Sequence, residues 1–396
     1  MKLTFIGDIM MTKEQLGLFH GKGGYNFENA FEGLEKICEK DSFVIANLET
    51  PIAGEKAKYT HERYSFNSPI EFADSIKKCG VDMVTTANNH CLDRKQSGLI
   101  QTIDNLDKVG LLHIGTHKSE EESFFIKNIN GIKVGFLSFT YGTNAFSNNV
   151  YLKHNEQYMV DLLQRQELSN VIERKIWFSQ RFIFRCIKKL IKLLHIIDFS
   201  VPVYEKREKS KNELRHYVNS IRKCKENGAE YIISLIHVGG QYNDKPSSYT
   251  KMICDISKKN GVNAVIANHE HVIHGVDTEM VSDNYFCIYS LGNYLSDAGV
   301  TNEPYDKMAE YSAIVTIDIN KMTDGTIKSS RYLIDINCIH INENGQCVSE
   351  LCRDYYKKCP KEIKSKIEKD YQILANRICN TKNKIYSISE PLEIKI

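Results

Sequence analysis

YIISLIHVGG at 231–240 and NAVIANHEH at 263–271 decide how this chain folds. Each is an almost continuously apolar run that stops at histidine: His237 in the first, His269 and His271 in the second. Strands buried on both faces read this way, and they belong to sheets covered by helices. Working outward, the same design recurs at LTFIGD (3–8), FVIANLE (43–49), VDMVTTANNH (81–90), VGFLSFTYGTN (134–144) and CIYSLGN (287–293). Open α/β sheets gather ligands beyond the carboxyl ends of their strands. These endings therefore carry Asp8, Glu49, Asn89, His90, His237, His269 and His271 toward one crevice, with Asn144 and Asn293 at its rim. Imidazoles, carboxylates and amides gathered in one place suggest a metal site.

Between the strands the hydrophobic period changes. Strand-like runs at 3–6, 43–46 and 81–87 alternate with amphipathic stretches at about 27–40, 69–79 and 95–109, as when helices cover a mainly parallel sheet. Asn130-Gly131, between FFIKNI and IKVGFLSF, is a two-residue hairpin signal, so the sheet is expected to be mixed. Past 230 a helix is expected near 247–260, and a closing antiparallel hairpin joins YSAIVTIDI (311–319) through Asp324-Gly325 to a strand running to 338. Residues 350–396 are lysine-rich, with an amphipathic helix at 361–377. They read as an appendage to a domain spanning 1–349.

The 396 residues suffice for a large core, and 42% hydrophobic with 26% charged residues is an ordinary soluble composition. A formal net charge of +2 implies no global attraction to nucleic acid. Asp8 interrupts the first apolar run, so neither a secretory signal nor a membrane anchor is expected at the start. Twelve scattered cysteines without a CxxC pair read as reduced thiols of a cytoplasmic protein. The segment 171–200 places Ile172, Ile176, Phe184, Ile187, Leu190, Leu194 and Ile197 among seven lysines and arginines. Its charges make it a poor spanning helix. It reads as an insertion packed over the core or a second subunit, as a basic amphipathic helix on the inner face of the cell membrane with Trp177 at the interface, or as a lid. Nothing in the sequence sets the oligomeric state.

Singly, each motif has a plainer reading. Asp8 and Glu49 can cap the following turn, and Asn88, Asn89, His90 and Asp93 can stabilise a strand-to-helix turn through amide hydrogen bonds. His237 can close its strand, and His274 fits the surface or a supporting layer. The chemical reading grows with their number: Asn89 offers an amide oxygen to a metal, Asp93 can fix the ring of His90, and three histidines follow neighbouring strands. Asn144 and Asn293 either shape a pocket for an anionic substrate or stabilise their own loops. The mixed donor set suits Mn²⁺, Fe or Zn²⁺ better than Mg²⁺. No GxSxG elbow or histidine-paired cysteine points to a serine or cysteine hydrolase.

In order, GD, NLE, NNHCLD, YGTN, HVGG, NHEH and SLGN resemble the CapA family of poly-gamma-glutamate capsule biosynthesis proteins over about 2–318. The domain of that family is similar to calcineurin-like metallophosphoesterases. The resemblance implies an α/β/β/α sandwich of two mixed sheets flanked by helices. It places Asp8 and His271 at one cation, Asn89, His237 and His269 at another, Glu49 between them, and His90 backed by Asp93 as the catalytic pair. Met10 stands where the phosphoesterase relatives have a histidine, and Glu49 where they generally have aspartate, so one or two ions are implied. Glu270 interrupts an HPH-like string, and Val238 replaces a common tryptophan. The implied activity is hydrolysis of an envelope or capsule-related phosphate ester by metal-activated water. The alternatives are hydrolysis of a gamma-glutamyl amide and a nonenzymatic part in capsule polymer synthesis or export.

Overall fold

The computed structural model describes residues 1–31, 33–38, 41–61, 64–166, 211–302 and 307–395. The basic stretch at 171–200 lies outside them. Among the described residues no helix is long and apolar enough to cross a membrane, and the described cysteines are free thiols.

The first half runs β1 (Lys2–Ile9), α1 (Lys13–Leu18), a small ribbon of β2 (His20–Gly21) and β3 (Gly24–Tyr25), α2 (Leu34–Ile37), β4 (Ser42–Leu48), α3 (Ile70–Lys78), β5 (Met83–Thr85), α4 (Lys95–Val109) and β6 (Leu112–Ile114). A hairpin of β7 (Phe125–Ile129) and β8 (Ile132–Thr140) leads to the single turn α5 (Ala145–Asn148). Then come α6 (Lys211–Glu226), β9 (Tyr231–His237), α7 (Ser248–Lys259), β10 (Ala264–Asn268), β11 (His274–Val276), β12 (Phe286–Ser290) and β13 (Asn293–Leu295). The chain closes with β14 (Tyr311–Lys321), β15 (Ile327–Ile341), β16 (Cys347–Leu351), α8 (Cys352–Lys358), α9 (Lys361–Ile378) and β17 (Leu392–Ile394).

Two mixed sheets result. One runs β16-β15-β14-β1-β4-β5-β6, with β13 beside β1 and β17 beside β15; the other runs β11-β12-β10-β9-β8-β7. Period-two alternation sets the layers, because neighbouring strand residues point to opposite faces. Leu3, Phe5, Phe43 and Ile45 of the first sheet meet Val134, Phe136, Ile233, Leu235 and Ile266 of the second in one central core. Their neighbours Ile6, Val44 and Ala46 face Phe72 and Ile76 of α3 and Leu106 of α4. On the other outer face, Leu137, Ile232, Ile236 and Val265 pack on Tyr217 and Ile221 of α6 and Ile253 of α7. Helix, sheet, sheet, helix is the layering expected from the sequence. Asn130 (φ 49°) and Gly131 (φ 85°) make the expected hairpin turn, both residues taking the left-handed conformation that a two-residue loop requires.

Two expectations need correction. The amphipathic stretch at 27–40 forms only a 3₁₀ turn at Glu28–Phe31 and the short α2. Gly33 breaks it: its N–H bonds to the Ser349 carbonyl, and a Cβ there would lie 2.8 Å from the Glu350 Cα. Nor are residues 350–396 an appendage. The proposed boundary falls inside β16, β17 pairs with β15, and Tyr371, Leu374, Ala375 and Ile378 of α9 join the central core. Leu374→Ala is expected to destabilise the whole fold by about 2–5 kcal/mol, since it leaves a cavity in the shared core. Denaturant unfolding followed from the central sheets reads this, whereas an appendage would leave the midpoint unchanged.

Candidate metal centre

β1 and β4 run parallel, with a register shift at Gly7 that sets Asp8 opposite Asn47. β13 lies along the other edge of β1, so Asp8 also faces Asn293, and the Asp8 N–H bonds to the Gly292 carbonyl at 3.0 Å. Glu49 follows β4, Asn89 and His90 follow β5, and His237 ends β9. His269 and His271 follow β10 with φ of 102° and 57°. Such conformations are costly for residues with a Cβ, and they turn both imidazoles into the crevice although the pair is spaced at alternate positions.

The side chains converge without enough protons to satisfy one another. His237 Nε2 lies 2.7 Å from Asn89 Oδ1, 3.1 Å from His269 Nδ1 and 3.3 Å from Glu49 Oε1. One ring nitrogen carries at most one proton and cannot serve three lone pairs. His271 Nε2 lies 3.9 Å from Glu49 Oε1, and its Nδ1 lies 3.4 Å from Asp8 Oδ2. Glu49 settles whether a cation fits. Its side chain is fully buried, and among the described residues neither carboxylate oxygen has a hydrogen-bond partner. A buried carboxylate without donors is costly unless a positive charge compensates it. Its oxygens join two tight sets of donor atoms, Glu49 with His269 and His271, and Asp8 with Glu49 and His237. Glu49 is common to both, which suits a bridging carboxylate.

The local electrostatics follow from the same packing. Burial disfavours the charged forms of Asp8, His90, His269 and His271. For Asp8 it is outweighed by His271, His237 and Asn47, which hold the carboxyl below its usual range. His271 likewise overcomes burial through Glu49, Asp8 and Asn293, and is pushed up to about 9. His269 has no such compensation; burial and the neighbouring imidazoles hold it neutral. His90 donates from Nδ1 to Asp93 Oδ2 at 2.7 Å, which raises its basicity against burial.

Residues 2–298 match the family described as bacterial capsule synthesis protein PGA_cap. The chain belongs to that family. It is 19% identical over 349 residues to the capsule biosynthesis protein CapA of Bacillus anthracis, an alignment covering 85% of this chain and 71% of that one. Among solved structures it is similar to the calcineurin-like phosphoesterase YfkN of Bacillus subtilis, with TM-score 0.42, 14% identity and coverage of 85% and 90%. It is also similar to the sulfate thiohydrolase SoxB of Thermus thermophilus, with TM-score 0.39, 9% identity and coverage of 94% and 60%.

In this PGA_cap member the structure brings all six expected ligand residues together, with His90 and Asp93 beside them. Asn293 is not at the rim. It is fully buried, accepts the His271 Nδ1 proton at 2.9 Å, and donates to the His271 and Ala309 carbonyls. An amide engaged this way aims the imidazole and leaves nothing for a substrate. Asn144 opens α5 in a left-handed turn, where its carbonyl accepts the Asn148 N–H. His274 is buried and donates from Nε2 to the Asn243 carbonyl.

Sequence reasoning missed Asn47, which donates to Asp8 Oδ1 at 2.7 Å, approaches His237 Nδ1 at 3.3 Å, and accepts from the Thr85 hydroxyl. Its place two residues before Glu49 in NLE was the available signal. Glu270, the departure within the HEH string, is fully buried and accepts the Gly240 N–H at 3.1 Å. Gly239 (φ 128°) makes room for it, since a Cβ there would lie 2.0 Å from Glu270 Oε1. HVGG and NHEH are thus halves of one packing unit.

Proposed function

We propose that this cluster holds one or two divalent cations and hydrolyses an anionic, envelope- or capsule-related phosphate ester. The observation that carries the reading is Glu49, whose buried carboxylate has no hydrogen-bond donor among the described residues yet stands between two sets of metal-ligating atoms. The tight donor sets divide the residues as His269 with His271 and Asp8 with His237, whereas the family resemblance divides them as Asp8 with His271 and Asn89 with His237 and His269; in either division Glu49 would be shared by the two cation positions. A bound divalent cation supplies Lewis-acid polarisation of a phosphoryl oxygen and a more acidic water. Asn47 holds Asp8 and approaches His237, and Asn293 holds His271, so these side chains are oriented by the protein's own amides.

His90 is the proton-handling residue of this reading. Asp93 takes its Nδ1–H, which leaves Nε2 as the ring nitrogen for a developing oxygen charge or a leaving oxygen. The ring is packed against Phe66 at 4.5 Å between centroids, so its plane is held.

The test pairs metal analysis with turnover. Chelator-washed protein is reconstituted with Mn²⁺, Fe²⁺ or Zn²⁺ and offered a phosphodiester, a phosphomonoester and a gamma-glutamyl amide. Stoichiometric metal with phosphoester turnover is the expected result, and His90→Ala is expected to keep the metal while losing about 10²–10⁴-fold in kcat. Turnover confined to the amide would move the reading to amide hydrolysis. Bound metal with no turnover on any substrate would favour a nonenzymatic role in capsule synthesis, and failure to retain metal would end the coordination scheme.

A further inference from the structure

We propose that Asn148 is a positioning residue for His90, acting through Asp93. The Asp93 side chain is fully buried, and its two oxygens receive three donors from three separate parts of the chain. Oδ2 accepts the His90 Nδ1–H at 2.7 Å and the Phe66 backbone N–H at 2.7 Å; Oδ1 accepts the Asn148 amide at 2.7 Å. The carboxylate requires donors on both sides, which fixes the Asn148 amide with its nitrogen inward.

The plane of an aspartate carboxylate is only weakly set by its own torsional preference. Here the donors set it. Phe66 and His90 share one oxygen, so among the described residues Asn148 is the donor that fixes the other and stops rotation about the Cβ–Cγ bond. Asn148 is itself fixed: it ends the single turn α5, its N–H bonds to the Asn144 carbonyl at 2.9 Å, and Asn144 and Asn149 take left-handed conformations at φ of 50° and 51°. Without Asn148, Asp93 turns with His90 attached, and the ring leaves the orientation that its Nδ1 bond and the Phe66 contact give it. The YGTN ending thereby reaches the centre through a residue four positions beyond Asn144.

The inference rests on the hydrolytic reading, and the test separates the two. Full-length protein labelled with ¹⁵N-histidine is examined for metal per chain, His90 ring resonances, and kcat and KM on bis(4-nitrophenyl) phosphate. Asn148→Ala is expected to keep its metal and KM, lose about 10–100-fold in kcat, and shift the His90 resonances toward those of Asp93→Asn. Asn148→Gln, which retains an amide donor, is expected to recover part of the loss, and Asn148→Asp, which adds a second carboxylate, to lose more than alanine. Unchanged His90 resonances and kcat in Asn148→Ala would overturn the proposal. So would a joint fall of metal content, folding and turnover, which marks a merely structural contact. If the wild type turns over no phosphoester, the hydrolytic reading fails while the His90 resonances still decide the role of Asn148.

Discussion

Glu49→Gln is expected to reduce metal from stoichiometric to background while leaving the metal-free protein at least as stable as the metal-free wild type. Most substitutions of a fully buried residue destabilise, so the second half of this result is the informative one. Glu49 has two buried oxygens without a hydrogen-bond donor among the described residues, with His237 Nε2 at 3.3 Å and His271 Nε2 at 3.9 Å from Oε1. Glutamine has nearly the same shape and removes the ionic cost of that burial, which offsets the loss of the charge that holds His271 up. With metal present the order reverses. The wild type gains stability by mass action, about 2.7 kcal/mol when free metal stands at 100 times its dissociation constant, and the variant gains nothing. Thermal unfolding of both proteins with and without Mn²⁺ or Zn²⁺ reads all four states. Equal metal-dependent stabilisation of the two would remove Glu49 from the centre.

Gly7→Ala is expected to cost about 3 kcal/mol and to lose the metal together with the stability. A Cβ at Gly7 would lie 2.0 Å from the Gly292 carbonyl oxygen, 3.0 Å from its carbonyl carbon and 3.3 Å from the Tyr294 nitrogen, all of them backbone. Overpacking costs about 1–3 kcal/mol where side chains can yield, and here a strand must move instead. The strand that moves is β13, which carries the Gly292–Asp8 hydrogen bond and Asn293, the partner of His271. Urea unfolding and metal titration are therefore expected to change together. Gly17→Ala is the control: it lies in α1 with nothing within 4 Å of the added Cβ, and a helix favours alanine over glycine by about 0.8–1.0 kcal/mol.

What the sequence made legible followed from strong local signals. Doubly buried strands leave continuous apolar runs, and each run ends where the chain must turn, so polar residues at those points had to gather at one edge of the sheets. Asp8, Glu49, Asn89, His237, His269 and His271 were found in this way. The misreadings arose where one pattern serves two structures. The amphipathic period of 361–377 suits a solvated appendage as well as a helix completing a core, and the packing of α9 into the central core with the pairing of β17 on β15 distinguishes them. Asn293 at a strand end reads alike whether its amide faces a ligand or supports a histidine. Asn47 lies within β4, where an interior polar residue carries no sign of its partner until the shifted register sets it opposite Asp8. Phe66 and Asn148 meet Asp93 from remote loops, a contact that no local period encodes.

The most direct measurement is an anomalous-difference map from crystals of the full-length protein loaded with Mn²⁺ or Zn²⁺ after chelator washing. One or two peaks are expected within coordination distance of the Glu49 carboxylate, each shared with ligands drawn from Asp8, Asn89, His237, His269 and His271. Metal bound only elsewhere, with no peak beside Glu49, would contradict the metal centre and the hydrolytic function built on it.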